Sequence, residues 1–280
     1  MSESEAKPSG HASRTPAVQS ERGAGSPAEE TVLFWDIDLT LLSTARAGIF
    51  ALEDAAREVL GVEADYSELK TAGLTDSQIV RMLIARHDAE ETPETVAAFL
   101  RAYEARLPAR LPERQGRVLD GVKEILDDLR ERRRVHCLLL TGNTRAGAAA
   151  KLAHYGLDRD FEEGAFCLDM DDRDAIARRA LDVAAGVIGS SPDLERTFVI
   201  GDTPHDIACG RAIGVRTVAI ASGVHPAAEL DQHEPWLVWE RLPDPEDFAR
   251  ALGLPARDGG ASQSRDEVED GGEHQRLGGA

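Results

Sequence analysis

Positive charge is scarce in this chain: 32 lysines and arginines, only four of them lysine, stand against 51 aspartates and glutamates, for a formal net charge of −19. Nucleic acid and anionic membrane surfaces are recognised by clustered Lys and Arg that neutralise phosphates, so neither is expected as a partner. The nearest thing to a basic patch is Arg130, Arg132, Arg133 and Arg134. It stands where a helix is expected to end, and reads as a solvated face that complements the helix dipole. Long apolar runs are also missing. No stretch approaches the ~18 residues of a membrane span, and the N-terminus lacks the charged-then-apolar layout of a secretory signal, which makes a cytoplasmic location the expectation. The three cysteines, Cys137, Cys167 and Cys209, are odd in number and form no C-x-x-C. That argues against a disulfide framework or a thiolate zinc site, and each is expected to be a small buried hydrophobe.

What is present is enough apolar material, 42% of 280 residues, for one α/β domain with a smaller inserted one. Residues 1–30 and 256–280 are rich in Gly, Ser, Glu and other polar residues without apolar periodicity, and read as disordered tails. Between them, buried-looking runs alternate with helical patterns, the mark of a parallel sheet covered on both faces. Strands are expected at 31–37, 134–141, 165–168, 196–201, 215–220 and 236–239. The alternation fails once. Residues 43–116 carry successive helical patterns with no strand among them, which divides an α/β core (31–42 and 117–255) from an all-helical insertion. Within the insertion, Gly61 is placed to end one helix, while Asp76, and Glu91 or Thr92 ahead of Pro93, stand near the starts of others.

Three of the strands end in residues with chemical potential. The first runs into Asp36-Ile37-Asp38-Leu39-Thr40, and if the strand persists Asp36 and Asp38 face one side together. Burying both carboxylates is costly unless a cation joins them; the alternative is a turn beginning at Asp38 and a cap at Asp36. The second ends in Thr141-Gly142-Asn143, where a hydroxyl, a small residue and helix N-terminal amides suit an anion, unless Thr141 only caps the next helix. The third ends in Asp202 with Asp206 four residues on, either ligands for a hard cation or helix caps. His205, in the same loop, is read as facing solvent or standing behind the site.

Taken together, these residues resemble the haloacid dehalogenase superfamily, whose motifs are D-x-D-x-T, a Ser/Thr at a strand end, a basic residue, and an acidic pair after a further strand. The resemblance covers roughly residues 30–250, and within the superfamily the chain looks most like the phosphoglycolate phosphatase type. It implies a Rossmann-like three-layer core with a parallel sheet, and an α-helical cap in the insertion. It also implies a Mg²⁺-dependent phosphatase acting on a small phosphorylated metabolite, as a monomer or homodimer. By the same resemblance Asp36 would be the nucleophile, Asp38 the general acid and base, and Thr141, Gly142 and Asn143 the holders of the phosphoryl oxygens. Mg²⁺ would take Asp36, Asp38 through its backbone carbonyl, and Asp202, with Asp206 in or just behind its shell. Thr40 would pin the turn after the first strand.

The pattern departs from the family in two places. The usual third-motif lysine is absent from DMDDRDAIARRALDVAAG, where Arg173 is the best substitute, bridging carboxylate and phosphate or else forming a plain helix-entry salt bridge. Lys151, about two turns into the helix after Thr141, is expected to point away. Leu39 stands where many members have glycine, which removes no reacting group. Dehalogenation is disfavoured by Asp38, which relatives with that activity lack. The segment 70–80, KTAGLTDSQIV, could dip from the cap toward the site or be a loop and helix cap only. A phosphomutase on the same core, or a silent metal- and phosphate-binding module, remain the alternatives; a receiver-type domain would carry no helical insertion.

Overall fold

Branched and aromatic side chains dominate the apolar runs, and such residues pack well on both faces of a pleated sheet. In the computed structural model, which describes residues 30–161, 163–168 and 173–257, these runs form the strands. The expected tails lie almost wholly outside those residues, as does 169–172 just ahead of Arg173. The strands are β1 (Thr31–Trp35), β2 (Leu42–Ser43), β3 (Arg117–Val118), β4 (Val135–Leu140), β5 (Glu163–Ala165), β6 (Thr197–Gly201), β7 (Arg216–Ile220) and β8 (Leu237–Trp239). The helices are α1 (Ala47–Leu60), α2 (Asp76–Arg86), α3 (Pro93–Arg110), α4 (Val122–Arg130), α5 (Arg145–Tyr155), α6 (Arg173–Ile188), α7 (Pro204–Ala212), α8 (Ala227–Asp231) and α9 (Pro245–Leu252).

Six strands make one sheet in the order β5-β4-β1-β6-β7-β8, every neighbouring pair parallel. β1 alternates between the two faces. Leu33 and Trp35 join the core under α4, α5 and α9, while Val32 and Phe34 join the core under α6 and α7. The expected α/β architecture, with a parallel sheet between helical layers, is therefore the architecture found. Because β1 lies between β4 and β6, the chain builds outward from β1 to β4 and β5 and then crosses back to β6 on the other side of β1, and a crevice opens beyond the carboxyl ends of these strands. All three chemical motifs sit at those ends.

α1, α2 and α3 follow one another between β2 and β3 and share a separate core that includes Leu52, Leu83 and Phe99. Local signals set their ends. Gly61, at φ 68, closes α1 in the left-handed region. Thr75 caps α2 through a reciprocal capping box with Gln78, and Thr92 caps α3 ahead of Pro93. β2 and β3 pair antiparallel, Leu42 with Val118 and Ser43 with Arg117, so the two chain crossings into the helical segment are bonded to each other.

Three expectations need correction. β1 stops at Trp35 rather than at residue 37, because the backbone turns: the amides of Thr40, Leu41 and Leu42 all donate to the Ile37 carbonyl. The strand expected at 165–168 lies at Glu163–Ala165. Phe166 and Cys167 are apolar because they are buried beside the β4 loop, where the Cys167 amide donates to the Asn143 carbonyl at 2.8 Å. Arg132 is not on a solvated face. It is buried, donates to both oxygens of buried Asp128 at 2.8 and 3.3 Å, and also reaches the Pro255 carbonyl.

Phe248 on α9 is fully buried and lies between Trp35 and Trp239, with ring centroids 5.8 and 5.6 Å away. Phe248→Ala removes that filling from the centre of one core and is expected to cost about 3–5 kcal/mol, measured by urea unfolding.

Candidate active site

Three carboxylates meet at the carboxyl ends of β1 and β6. Asp36, Asp202 and Asp206 are all buried, and each offers one oxygen within 4.8 Å of the others. Glycines make the space they occupy. A Cβ at Gly223 would lie 1.8 Å from Asp202 Oδ2, and one at Gly201 would lie 2.3 Å from Asp206 Cγ. Thr40 donates to Asp202 Oδ1 at 3.2 Å, tying the turn after β1 to the end of β6. Asp206 is the best satisfied of the three, receiving the Thr203 amide and hydroxyl at 3.0 and 2.6 Å and Arg173 Nη1 at 2.6 Å. Thr203, not Asp202, caps α7. Asp202 Oδ2 is buried with no partner.

Burial, reinforced by the neighbouring carboxylate Asp206, raises Asp36 to about 7 and Asp202 to about 8. A hard, oxygen-seeking divalent cation fits this set: every donor is a carboxylate, one oxygen is orphaned, and a single guanidinium, Arg173, stands against three carboxylates.

Asp38 does not join the cluster. Because β1 has already ended, its carboxylate turns the other way and receives Lys151 Nζ on both oxygens, at 2.8 and 2.6 Å, and Asn143 Nδ2 at 2.8 Å. Burial would raise Asp38, but the Lys151 ammonium outweighs it and holds the carboxyl below its usual range. Lys151 also donates to Asn143 Oδ1 at 2.5 Å. The expectation that Lys151 points away is therefore wrong. It lies two turns into α5, but helical side chains lean toward the N-terminus, and a four-carbon stem carries the ammonium back to the strand end. The signal was available, since Gly147, Ala148, Lys151 and Leu152 share the buried face of α5. Asn143 was expected to serve through its amide, and its side-chain bridge from Asp38 to Thr141 was not anticipated.

Thr141, Gly142 and Asn143 form the loop after β4. Thr141 is fully buried and accepts from the Asn143 amide at 3.3 Å and from its side chain at 2.8 Å, while Thr144 is the residue that caps α5. Gly142 lies under the helical insertion, where an added Cβ would fall 2.9 Å from the Leu74 carbonyl oxygen and 3.4 Å from Arg173 Nη2. Arg173 begins α6, is buried, and donates from Nε to the Gly73 carbonyl at 3.0 Å. Its guanidinium thus stands between the acidic cluster and the loop that follows β4.

The segment 70–80 does reach the site. The Asp76 amide donates to the Gly142 carbonyl, and Asp76 Oδ2 accepts from the Thr144 amide, both at 2.8 Å. Burial raises the Asp76 carboxyl to about 6, against the pull of Lys151. Gly73, at φ 75, packs on His205, where a Cβ would approach to 2.1 Å. His205 stays exposed, as expected, while one side of its ring supports Gly73 of the insertion. Between insertion and core lies a cavity of about 740 Å³, into which Asp36, Asp38, Asn143, Lys151, Arg173 and Asp202 all open.

Known proteins are similar to this chain in sequence and fold. A family model described as haloacid dehalogenase-like hydrolase matches residues 32–220. The tyrosine-protein kinase PtkA of Mycobacterium tuberculosis is 27% identical over 213 residues, 75% of this chain and 69% of PtkA. The pyrophosphatase PpaX of Halalkalibacterium halodurans is 27% identical over 232 residues, 81% of this chain and 98% of PpaX. The crystal structure of a protein described as a phosphatase from Clostridium acetobutylicum superposes with a TM-score of 0.62 at 16% identity, covering 81% of this chain and all of the other.

Two measurements follow from the electrostatics. Carboxyls raised in the fold bind protons that the unfolded chain has released above about pH 4, so native stability falls as pH rises. The melting temperature of metal-free protein is expected to decline from about pH 4 until Asp36 and Asp202 have ionised, near 7 and 8. Lys151→Met strips the cation from Asp38 and is expected to cost about 2 kcal/mol in urea unfolding. A fully enclosed pair would cost more, but the Asp38 side chain is 43% exposed.

Proposed function

The chain belongs to the haloacid dehalogenase-like hydrolases, and on that premise we propose that it hydrolyses phosphate monoesters of small metabolites through a phosphorylated Asp36. The observation that carries this reading is the division of labour between Asp36 and Asp38. One sits with Asp202 and Asp206 as an oxygen-only cation site, and the other is held apart by a lysine and an amide, with both opening into one cavity.

In the first half of the reaction a carboxylate oxygen of Asp36 attacks phosphorus and the bond to the ester oxygen breaks, so that one difficult displacement becomes two easier ones. Asp38 gives its proton to the departing alcohol. The phosphate dianion that enters the cavity opposes the Lys151 charge and favours the protonated form needed at that moment. In the second half Asp38, now ionised and held so by Lys151, takes a proton from water as the water oxygen attacks phosphorus. The bond from phosphorus to the Asp36 oxygen breaks, and inorganic phosphate leaves. Arg173 and the loop Thr141–Asn143 hold the phosphoryl oxygens where charge is greatest. Asp36, Asp202 and the Asp38 backbone carbonyl would hold Mg²⁺, with Asp206 beside them. Its charge, when bound, lets an anionic nucleophile approach an anionic phosphate.

A phosphate-release assay on a panel of monoesters tests the proposal. Release is expected to require Mg²⁺ and to stop with EDTA. Asp36→Asn is expected to lose about 10³-fold or more in kcat, while the melting temperature of the metal-free variant is no lower than that of wild type, since one repelling charge is gone. Release by Asp36→Asn at the wild-type rate would refute a nucleophilic role for Asp36.

A further inference from the structure

Leu39 is the residue after Asp38, and its φ of 62° lies in the left-handed region that a Cβ disfavours. The backbone there is held from both sides: the Leu39 amide donates to the Leu42 carbonyl at 2.8 Å, and the Leu39 carbonyl accepts from Ser222 Oγ at 2.6 Å. Glycine would adopt this conformation without penalty, so a leucine needs a reason. Core packing does not supply one, because among the described residues the hydrophobic cores take Leu41 and Leu42 but not Leu39. Its side chain instead helps line the cavity.

The rest of that wall has the same character. Ile49, Leu52, Leu69, Leu74 and Ile79 come from the helical insertion and face the same space as Leu39. The cavity's cations are mostly engaged already. Arg173 and Lys151 are engaged by Asp206 and Asp38 at the phosphate end. Arg46 Nη2 donates to the carbonyls of Tyr66, Ser67 and Leu69, and Lys70 is exposed. Glu68 and Asp76 line the cavity beside Arg46 and Lys70, so an ester tail bearing a carboxylate or a second phosphate would meet carboxylates as well as cations there, and an uncharged tail would meet neither cost.

We infer that the site selects monoesters whose leaving group is uncharged and apolar close to the phosphate, and that Leu39 is the side chain that sets this preference. The inference rests on the phosphatase reading above and narrows its substrate class. A leaving group with a branched or ring carbon skeleton would bury that skeleton against Leu39 and the insertion, and a glycolate or bisphosphorylated sugar would not.

The test compares kcat/KM of the full chain for isopentyl phosphate and for phosphoglycolate, both esters of primary alcohols, in wild type, Leu39→Gly and Leu39→Ala. Wild type is expected to favour the isopentyl ester, and both variants to lower that preference about tenfold, the worth of one large apolar contact. Leu39→Gly is also expected to melt no lower than wild type, since it relieves the left-handed backbone, which separates loss of selectivity from loss of fold. Wild-type preference for phosphoglycolate, or a preference unchanged in both variants, overturns this inference while leaving the phosphatase standing. Release of phosphate from neither ester, nor from any other on the panel, overturns both.

Discussion

Three carboxylates that repel one another in a buried space are the constraint from which most of this site follows. Asp36, Asp202 and Asp206 could each avoid the cost by moving into water, but the sheet fixes two of them at strand ends and the first turn of α7 fixes the third. What surrounds them is compensation. The guanidinium of Arg173 and the Thr203 hydroxyl answer Asp206, and the Thr40 hydroxyl answers Asp202. Glycine at 201 and 223 leaves room for the oxygens. One oxygen of Asp202 stays unanswered. Such a gap in the interior is one that a cation would fill.

The same constraint explains why Asp38 is kept out. A fourth carboxylate in the cluster would add repulsion without adding a function. The early end of β1 turns Asp38 toward Lys151 and Asn143, where its protonation responds to a different set of charges. Two aspartates one residue apart thereby acquire carboxyl groups with opposite shifts in the metal-free protein, one raised to about 7 and one lowered. Arg173 has a double connection, to Asp206 in the core and to the Gly73 carbonyl in the helical insertion, and so links the charge of the acidic cluster to the position of the insertion.

Much of this was legible from sequence, because the sheet is written in apolar runs and the motifs lie where those runs end. The parallel sheet, the interruption after the first motif and the opening of Asp36, Asn143, Arg173 and Asp202 into one cavity needed only periodicity and a family resemblance. What escaped was long-range and geometric. The spacing of Asp36 and Asp38 suggested a shared face, but three amides converging on the Ile37 carbonyl end the strand first. Lys151 looked remote when counted along the chain, and is adjacent once the lean of a helical side chain is included. Cys167 and Phe166 read as strand because burial under a loop and burial in a sheet leave the same apolar trace.

The antiparallel pairing of β2 with β3 has a wider meaning. The chain leaves the core at Ser43 and returns at Arg117, and these two residues stand opposite each other in the ladder. Along the chain, the whole helical segment is therefore equivalent to the loop of a β-hairpin, with both its ends at one place, while Gly73 and Asp76 make separate contacts with the core. Such an attachment lets the segment lengthen, shrink or be exchanged for another without disturbing strand register or the acidic cluster. Chemistry and recognition can then diverge separately in evolution, the first constrained by charge at the strand ends and the second free to drift on a module with its own core.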